Sequence, residues 1–243
     1  MNIGKRIAKL LGERNLGRLD YVLKPGLRST WGGPFNGQAF RQRMFLSLMG
    51  TVGCRVIVET GTYHGTTTAF LAASGLPVYS VESNPRFYAY ASWRLYRSRS
   101  RIRLREGDSR PFLRSLALDR AFPGGRAFFY LDAHWHSDLP LRDELKIIFE
   151  HWSDSVVMVD DFQVPGTTYG YDDYGPGRAL NLEYLEPLRH LQLATFFPAM
   201  GPEAETGARR GCIVLCRAGG EVERLLGAVG ELMLAPGHPR MDE

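Results

Sequence analysis

Val56-Ile57-Val58-Glu59-Thr60-Gly61-Thr62-Tyr63-His64-Gly65-Thr66-Thr67-Thr68 is the stretch whose reading decides the fold. An apolar β-branched run ends in a carboxylate. A glycine turn follows, and Thr67 to Ser74 then reads as helix. Strand, glycine turn and helix in this order build a nucleotide site in an open α/β sheet. The glycines let backbone approach a ligand closely, and the helix start offers N–H groups without intrahelical partners.

The same alternation extends outward. A helix over about Gln38–Leu48 leads into the first strand, Arg55–Glu59. Strand Val78–Glu82 precedes helix Pro85–Tyr96, whose proline suits the first helical position. Strand Ile102–Arg105 precedes helix Arg110–Leu118, strand Ala127–Asp132 precedes helix Pro140–Trp152, and strand Val156–Asp160 follows. Short connections between alternating elements predict a parallel sheet covered by helices. Beyond Asp161 the pattern changes. Residues 162–177 read as a long loop rich in Gly, Tyr, Pro and Asp, then a helix spans about Arg178–Arg189. Strands Leu191–Phe197 and Gly211–Cys216 have no helix between them and are expected to be antiparallel. A last amphipathic helix covers Glu221–Leu232. The expected architecture is an α/β, Rossmann-like, seven-stranded, mostly parallel sheet with helices on both faces and an antiparallel last strand.

The 243 residues, 44% of them hydrophobic, suffice for one full-sized core. No apolar run approaches the roughly 18 residues a membrane span needs, and no secretory leader is evident, so the cytoplasm is the expected location. Cys54, Cys212 and Cys216 have no metal or redox spacing and read as buried thiols. Charge is uneven. Residues 1–50 hold nine basic and two acidic side chains, so the remainder is net acidic against an overall +4. Residues 1–35 read as a basic helical arm, helical over 2–12, followed by a loop; residues 36–243 read as the catalytic-type domain. The arm is expected to be a solvated basic helix, with peripheral contact to an anionic membrane surface through residues 1–30 as the alternative. Nucleic acid is not an expected partner, because no aromatic interleaving or nucleic-acid motif accompanies the charge. Arg101, Arg103 and Arg105 alternate with Ile102 and Leu104, as on an exposed or edge strand.

The turn is Glu-x-Gly-x-x-x-Gly rather than Gly-x-Gly-x-x-Gly, which argues against a pyrophosphate. A carboxylate ahead of the turn suits a cationic ligand, and S-adenosylmethionine carries a sulfonium and an ammonium. Glu82, ending the second strand, can accept both hydroxyls of a ribose. Asp132 ends the fourth strand; Asp160 and Asp161 end the fifth. Adjacent strand ends would gather these three acids, which repel unless a cation joins them, and Mg²⁺ suits such oxygen ligands. Asp143 and Glu144 read as a solvated helix face, and His151, His190 and His238 belong to no constellation. The Trp31–Gln38 loop is either a cover for the ligand or a packing plug. Residues Thr168–Gly175 are either a tyrosine-rich acceptor lid or a loop packed by its own rings.

These motifs resemble the class I S-adenosylmethionine-dependent methyltransferases, and within them the metal-dependent O-methyltransferases. Val58-Glu59-Thr60-Gly61 with Gly65 is similar to that family's first motif. Glu82-Ser83-Asn84-Pro85 resembles the Glu-x-Asn-Pro of catechol enzymes, where the Glu holds the ribose. Glu106-Gly107-Asp108-Ser109 occupies the place of their adenine-contacting turn. Leu131-Asp132 with His134-Trp135 resembles their metal segment, and Asp160-Asp161 follows at the family's spacing. Asp161, where catechol enzymes have Asn, is more like the macrocin type. The resemblance implies cofactor contacts at Glu59, Gly61, Thr62, Tyr63, Gly65, Glu82, Ser83, Asp108, Ser109, Asp132 and His134, and metal ligands at Asp132, Asp160 and Asp161. Trp135 stands where catechol enzymes carry the catalytic Lys. His136 is therefore the expected base, with His134 toward the adenosine.

The implied activity is methyl transfer to a hydroxyl of a small molecule or sugar, assisted by Mg²⁺. An NAD-linked dehydrogenase, or a non-catalytic cofactor-binding domain recruited to a membrane or partner by its basic arm, are the alternatives. A homo-oligomer is compatible with either enzyme reading.

Overall fold

A computed structural model of the chain describes residues 11–134 and 138–235. Of the expected helix over 2–12, residues 2–10 lie outside the described residues, as does His136. Helix α1 (Glu13–Leu23) is followed by a 3-10 turn region over Pro25–Gly37 and by α2 (Ala39–Val52). Strand and helix then alternate: β1 (Val56–Thr60), α3 (Thr66–Ala72), β2 (Val78–Glu82), α4 (Pro85–Arg94), β3 (Ile102–Glu106), α5 (Ser109–Leu118), β4 (Ala127–Leu131), α6 (Leu141–His151) and β5 (Val156–Asp160). After a long loop come the one-turn α7 (Leu182–Leu185), β6 (Leu193–Pro198), β7 (Cys212–Arg217), α8 (Glu221–Gly227) and β8 (Leu232–Leu234).

The strands form one sheet in the order β3-β2-β1-β4-β5-β7-β6-β8. Pairing is parallel from β3 through β5 and antiparallel for β5–β7, β7–β6 and β6–β8. The order reverses between β1 and β4, so a crevice opens at their carboxyl ends. Every residue of β1, β2, β4 and β5 is buried. Strands covered on both faces need apolar side chains at successive positions, which explains the continuous runs Val56–Val58 and Ala127–Leu131. Val58 and Phe129 face one core, and Ile57 and Phe128 the other. β3 lies at the sheet edge with Arg103 and Arg105 exposed, as the alternating arginines predict. The three cysteines are buried and unpaired.

Three sequence expectations are corrected. The sheet has eight strands, not seven, because the last helix stops at Gly227. Gly227 and Gly230 interrupt the apolar period that suggested a helix to Leu232, and Leu232–Leu234 instead pairs with Phe196–Pro198. The helix expected over 178–189 is one α turn followed by a 3-10 segment. The Asn181 side chain caps it, accepting from the Tyr184 N–H at 2.8 Å, and Pro187 removes the N–H that an α-helix would need. Glu144 is buried rather than solvated, while Asp143 is exposed.

The basic arm is docked where it is described. Gly17 lets α1 approach α4 so closely that a Cβ there would lie 2.0 Å from the Arg86 carbonyl oxygen. The Asp20 carboxylate meets Arg86 at 2.6 Å and Lys24 at 2.7 Å, and Tyr21 packs edge-on against Tyr90. No helix among the described residues is long and apolar enough to cross a membrane.

Candidate active site

A cavity of about 690 Å³ opens at the carboxyl ends of β1, β2, β3, β4 and β5. That size lies within the range of sites for whole small-molecule ligands. Its first half is built by the β1 turn and the ends of β2 and β3. Gly61 adopts φ +88°, and a Cβ there would sit 2.2 Å from the Asp132 carbonyl oxygen. Only glycine allows the turn to pass this close to β4. The Glu82 carboxylate accepts the Tyr63 N–H at 2.7 Å and the Asn84 N–H at 2.8 Å. Each oxygen keeps one acceptor site, so the pair can still take two ligand hydroxyls. Ser83, Asn84 and Phe87 continue this wall, with Gly107, Asp108 and Ser109 opposite. Asp108 caps α5, accepting the Arg110 N–H at 2.8 Å, and the Arg110 guanidinium also binds Asp138 at 2.7 Å. Arg110 thus ties the β3 turn to the segment after β4 and holds Asp108 below the usual carboxylate range.

The Trp31–Gln38 loop divides between its two readings. Phe35 is fully buried against Tyr130, Phe45 and Phe70, which is the plug. Trp31, 63% exposed, and Asn36 line the cavity. Trp31, Phe35 and Asn36 all have positive φ. Such conformations persist only where the surroundings over-determine them.

The second half is acidic. Asp132 and Asp161 line the cavity with His134, and one ligand atom from each lies within 4.8 Å of the others. His134 is only 5% exposed. Its Nε2 lies 3.9 Å from Asp132 Oδ1, 4.0 Å from Asp161 Oδ2 and 3.7 Å from Asp172 Oδ2. It has no hydrogen-bond partner among the described residues. Burial lowers its pKa despite the opposing pull of Asp161 and Asp172, so the neutral ring keeps a lone pair. Burial, then repulsion from Asp161, pushes Asp132 well above the usual carboxylate range. Such crowding is what a bound cation relieves.

Asp160 is not part of this cluster. It is fully buried and ion-paired to the equally buried Arg41 of α2. Its Oδ2 also accepts the Tyr130 hydroxyl at 2.6 Å and the Asn36 amide at 3.3 Å. β5 ends at Asp160, and the backbone turns to φ +52° at Asp161, whose carboxylate lies in the cavity. Among the described residues, the group that could hold a metal ion is Asp132, His134 and Asp161, with His134 rather than Asp160 as its third member. Glu59 likewise lies beneath the turn rather than on the cavity wall. Its Oε2 accepts from Thr68 at 2.6 Å and from Ser80 at 2.5 Å, and burial pushes it up to about 7. Thr62 bonds Ser80 at 2.6 Å, and Gly65 opens α3 against Leu95; neither is on the cavity wall. Ser109 is on that wall, and buried Glu144 is also raised to about 7 by burial.

Sequence reasoning misses the roles of five residues that shape this half: Arg210, Gln38, Glu205, Asp172 and Arg41. Arg210 donates from Nε to Asp161 Oδ1 at 2.6 Å and from Nη2 to Asp172 Oδ1. Its backbone is bracketed by Gln38, whose Oε1 accepts the Arg210 N–H at 2.9 Å while Nε2 donates to the Arg210 carbonyl at 2.8 Å. Glu205 accepts the N–H groups of Phe40 and Arg41 at 2.8 and 3.1 Å, docking the β6–β7 loop on the start of α2. Asp172 is delivered by the tyrosine-rich loop, which is pinned rather than free: Gly211 N–H donates to Gly170 at 2.7 Å, and the Tyr169 hydroxyl to Met200 at 2.9 Å. Only Arg41 carries a sequence signal, since it falls on the apolar stripe of Phe45, Leu48 and Val52.

No protein-family model matches the sequence, and no curated protein matches it. Solved structures do resemble it. An O-methyltransferase from Bacillus cereus in complex with SAH superposes with a TM-score of 0.53 at 16% identity, over 83% of this chain and 90% of that one. Cofactor-bound Rv0187 from MTB gives 0.51 at 18%, over 84% and 97%. The O-methyltransferase TomG from Streptomyces achromogenes, in complex with SAM, gives 0.50 at 19%, over 74% and 80%. The chain therefore has the class I methyltransferase fold.

Proposed function

We propose that the protein is an S-adenosylmethionine-dependent O-methyltransferase that uses a divalent cation and acts on a hydroxyl of a small molecule or sugar. One observation carries this reading: a single cavity joins the Glu82 carboxylate and the Gly61 turn to the Asp132–His134–Asp161 cluster. The likeness in fold to enzymes bound to SAM or SAH supports the cofactor.

The residues divide the work. Glu82 takes the ribose hydroxyls with its two remaining acceptor sites. Gly61 and Tyr63 give the cofactor a close, backbone-lined wall, and Asp108 and Ser109 flank its base. S-adenosylmethionine supplies a methyl group on a positively charged sulfur, so the leaving thioether is neutral and needs no acid. Asp132, His134 and Asp161 would hold the cation. When bound, Mg²⁺ or a similar dication lowers the acceptor hydroxyl's pKa and orients it. Arg210 fixes Asp161 and Asp172 at the rim. We assign the proton to His136, two residues past His134 in the segment leading to Asp138.

The test is transfer of labelled methyl from S-adenosylmethionine to a panel of catechols, polyols and sugars, with and without chelator. The reading predicts label in at least one hydroxylated acceptor and its loss in Asp132→Ala. His136→Ala should lower kcat while leaving cofactor affinity unchanged. No transfer to any hydroxyl, together with tight binding of a nicotinamide dinucleotide, would replace it with the dehydrogenase reading.

A further inference from the structure

The ligand set of the acidic half differs in kind from three carboxylates. Asp160, the second acid of the strand-end pair, is consumed by Arg41, and an imidazole nitrogen stands in its stead. His134 is 5% exposed, its Nε2 is unpartnered among the described residues, and that atom faces three carboxylate oxygens at 3.7 to 4.0 Å. Around an ion with bonds of roughly 2.1 Å, tetrahedral neighbours sit about 3.4 Å apart. A contraction of a few tenths of an ångström would therefore bring the His134 distances to those around an ion.

Charge and orientation agree with this. Asp132, Asp161, Asp172 and Arg210 carry a formal charge of two negative around the imidazole, which a dication balances. Arg210 binds the Oδ1 atoms of Asp161 and Asp172, and it is the Oδ2 atoms that face His134 Nε2. Outer partners of this kind fix which lone pair a ligand presents.

We propose that His134 Nε2 is a metal ligand and that the site consequently selects a dication of the manganese-to-zinc series over Mg²⁺. This rests on the metal-assisted reading above. Oxygen donors alone suit Mg²⁺, whereas imidazole favours borderline transition ions, whose affinity for nitrogen rises along the first row.

The experiment uses the full chain stripped with chelator and titrated calorimetrically with Mg²⁺, Mn²⁺ and Co²⁺, alongside the visible spectrum of the Co²⁺ form. The inference predicts one ion per chain, with Mn²⁺ and Co²⁺ bound at least about tenfold more tightly than Mg²⁺. It also predicts a paramagnetically shifted imidazole N–H in the wild-type Co²⁺ protein, a readout independent of any variant. His134→Gln should lower Co²⁺ affinity by tenfold or more and alter the Co²⁺ spectrum, with Mg²⁺ affinity within about threefold and the thermal transition retained. Mg²⁺ binding as tightly as Mn²⁺, or no shifted imidazole signal, would overturn the ion selection and leave metal assistance standing. Absence of binding by all three ions, with S-adenosylmethionine still bound, would overturn both metal claims and leave the cofactor assignment intact.

Discussion

The two halves of the cavity are built by different means. In the cofactor half, polar groups are held over short separations: Glu82 by the N–H of Asn84 and by that of Tyr63 in the β1 turn, 19 positions back, and Asp108 by Arg110. In the acidic half, groups are held across long separations: Asp160 by Arg41 and Asn36, Asp161 by Arg210. The first half is built by successive strand ends and their turns. The second exists only when the β6–β7 loop has docked on α2. Its stability and its chemistry are therefore coupled, whereas those of the cofactor half separate.

The largest expected effect breaks the acidic half. Arg41→Met leaves Asp160 charged and buried, which should cost about 3–5 kcal/mol in denaturant unfolding. Adding Asp160→Asn should recover a substantial part of that loss; strict additivity of the two single variants would contradict the pairing. Next is Gly61→Ala, whose Cβ meets the Asp132 carbonyl at a positive φ and should cost about 2–4 kcal/mol. It strikes a point where the two halves touch, so cofactor and metal binding should fall together.

A smaller effect isolates the cofactor half. Glu82→Gln exchanges an acceptor for a donor facing the Tyr63 or Asn84 N–H, and should weaken S-adenosylmethionine about 10–100-fold by calorimetry. Metal affinity should be unchanged. A parallel fall in metal binding would show that the halves are not separable.

The smallest effect is a slope with pH. Glu59 has an ordinary value of 4.5 and is raised by burial to about 7. The folded state thus keeps its proton longer than the unfolded chain does. Its contribution is fully present below about 4.5, declines as pH climbs to about 7, and is then constant. Glu59→Gln should remove that share of the slope, leaving the share of Glu144, which is raised likewise. An unaltered pH profile of unfolding would place the Glu59 proton elsewhere.

Legibility followed the same division. The bounds of β2 and β5 are those the sequence predicts, because apolar runs bounded by proline, glycine and carboxylates report local constraints directly. Gly61, Glu82 and Asp108 stand on the cavity wall for the same reason. Asp160 misled because adjacent acids at a strand end look alike in sequence, while the positive-φ turn at Asp161 separates their carboxylates. Which one turns inward depends on Arg41, 119 positions away. Arg210 and Asp172 were invisible because they come from loops whose backbone pairing, not composition, places them. Glu144 was misread because the burial of its face of α6 is set by packing between elements, not by the polarity of the segment.

The most direct test of the central claim is calorimetric titration of the purified chain with S-adenosylmethionine, with S-adenosylhomocysteine as competitor and Glu82→Gln as control. The account predicts one saturable site per chain, displaced by the competitor and weakened about 10–100-fold in the variant. Binding of equal strength in wild type and variant, or no binding at all, would contradict it.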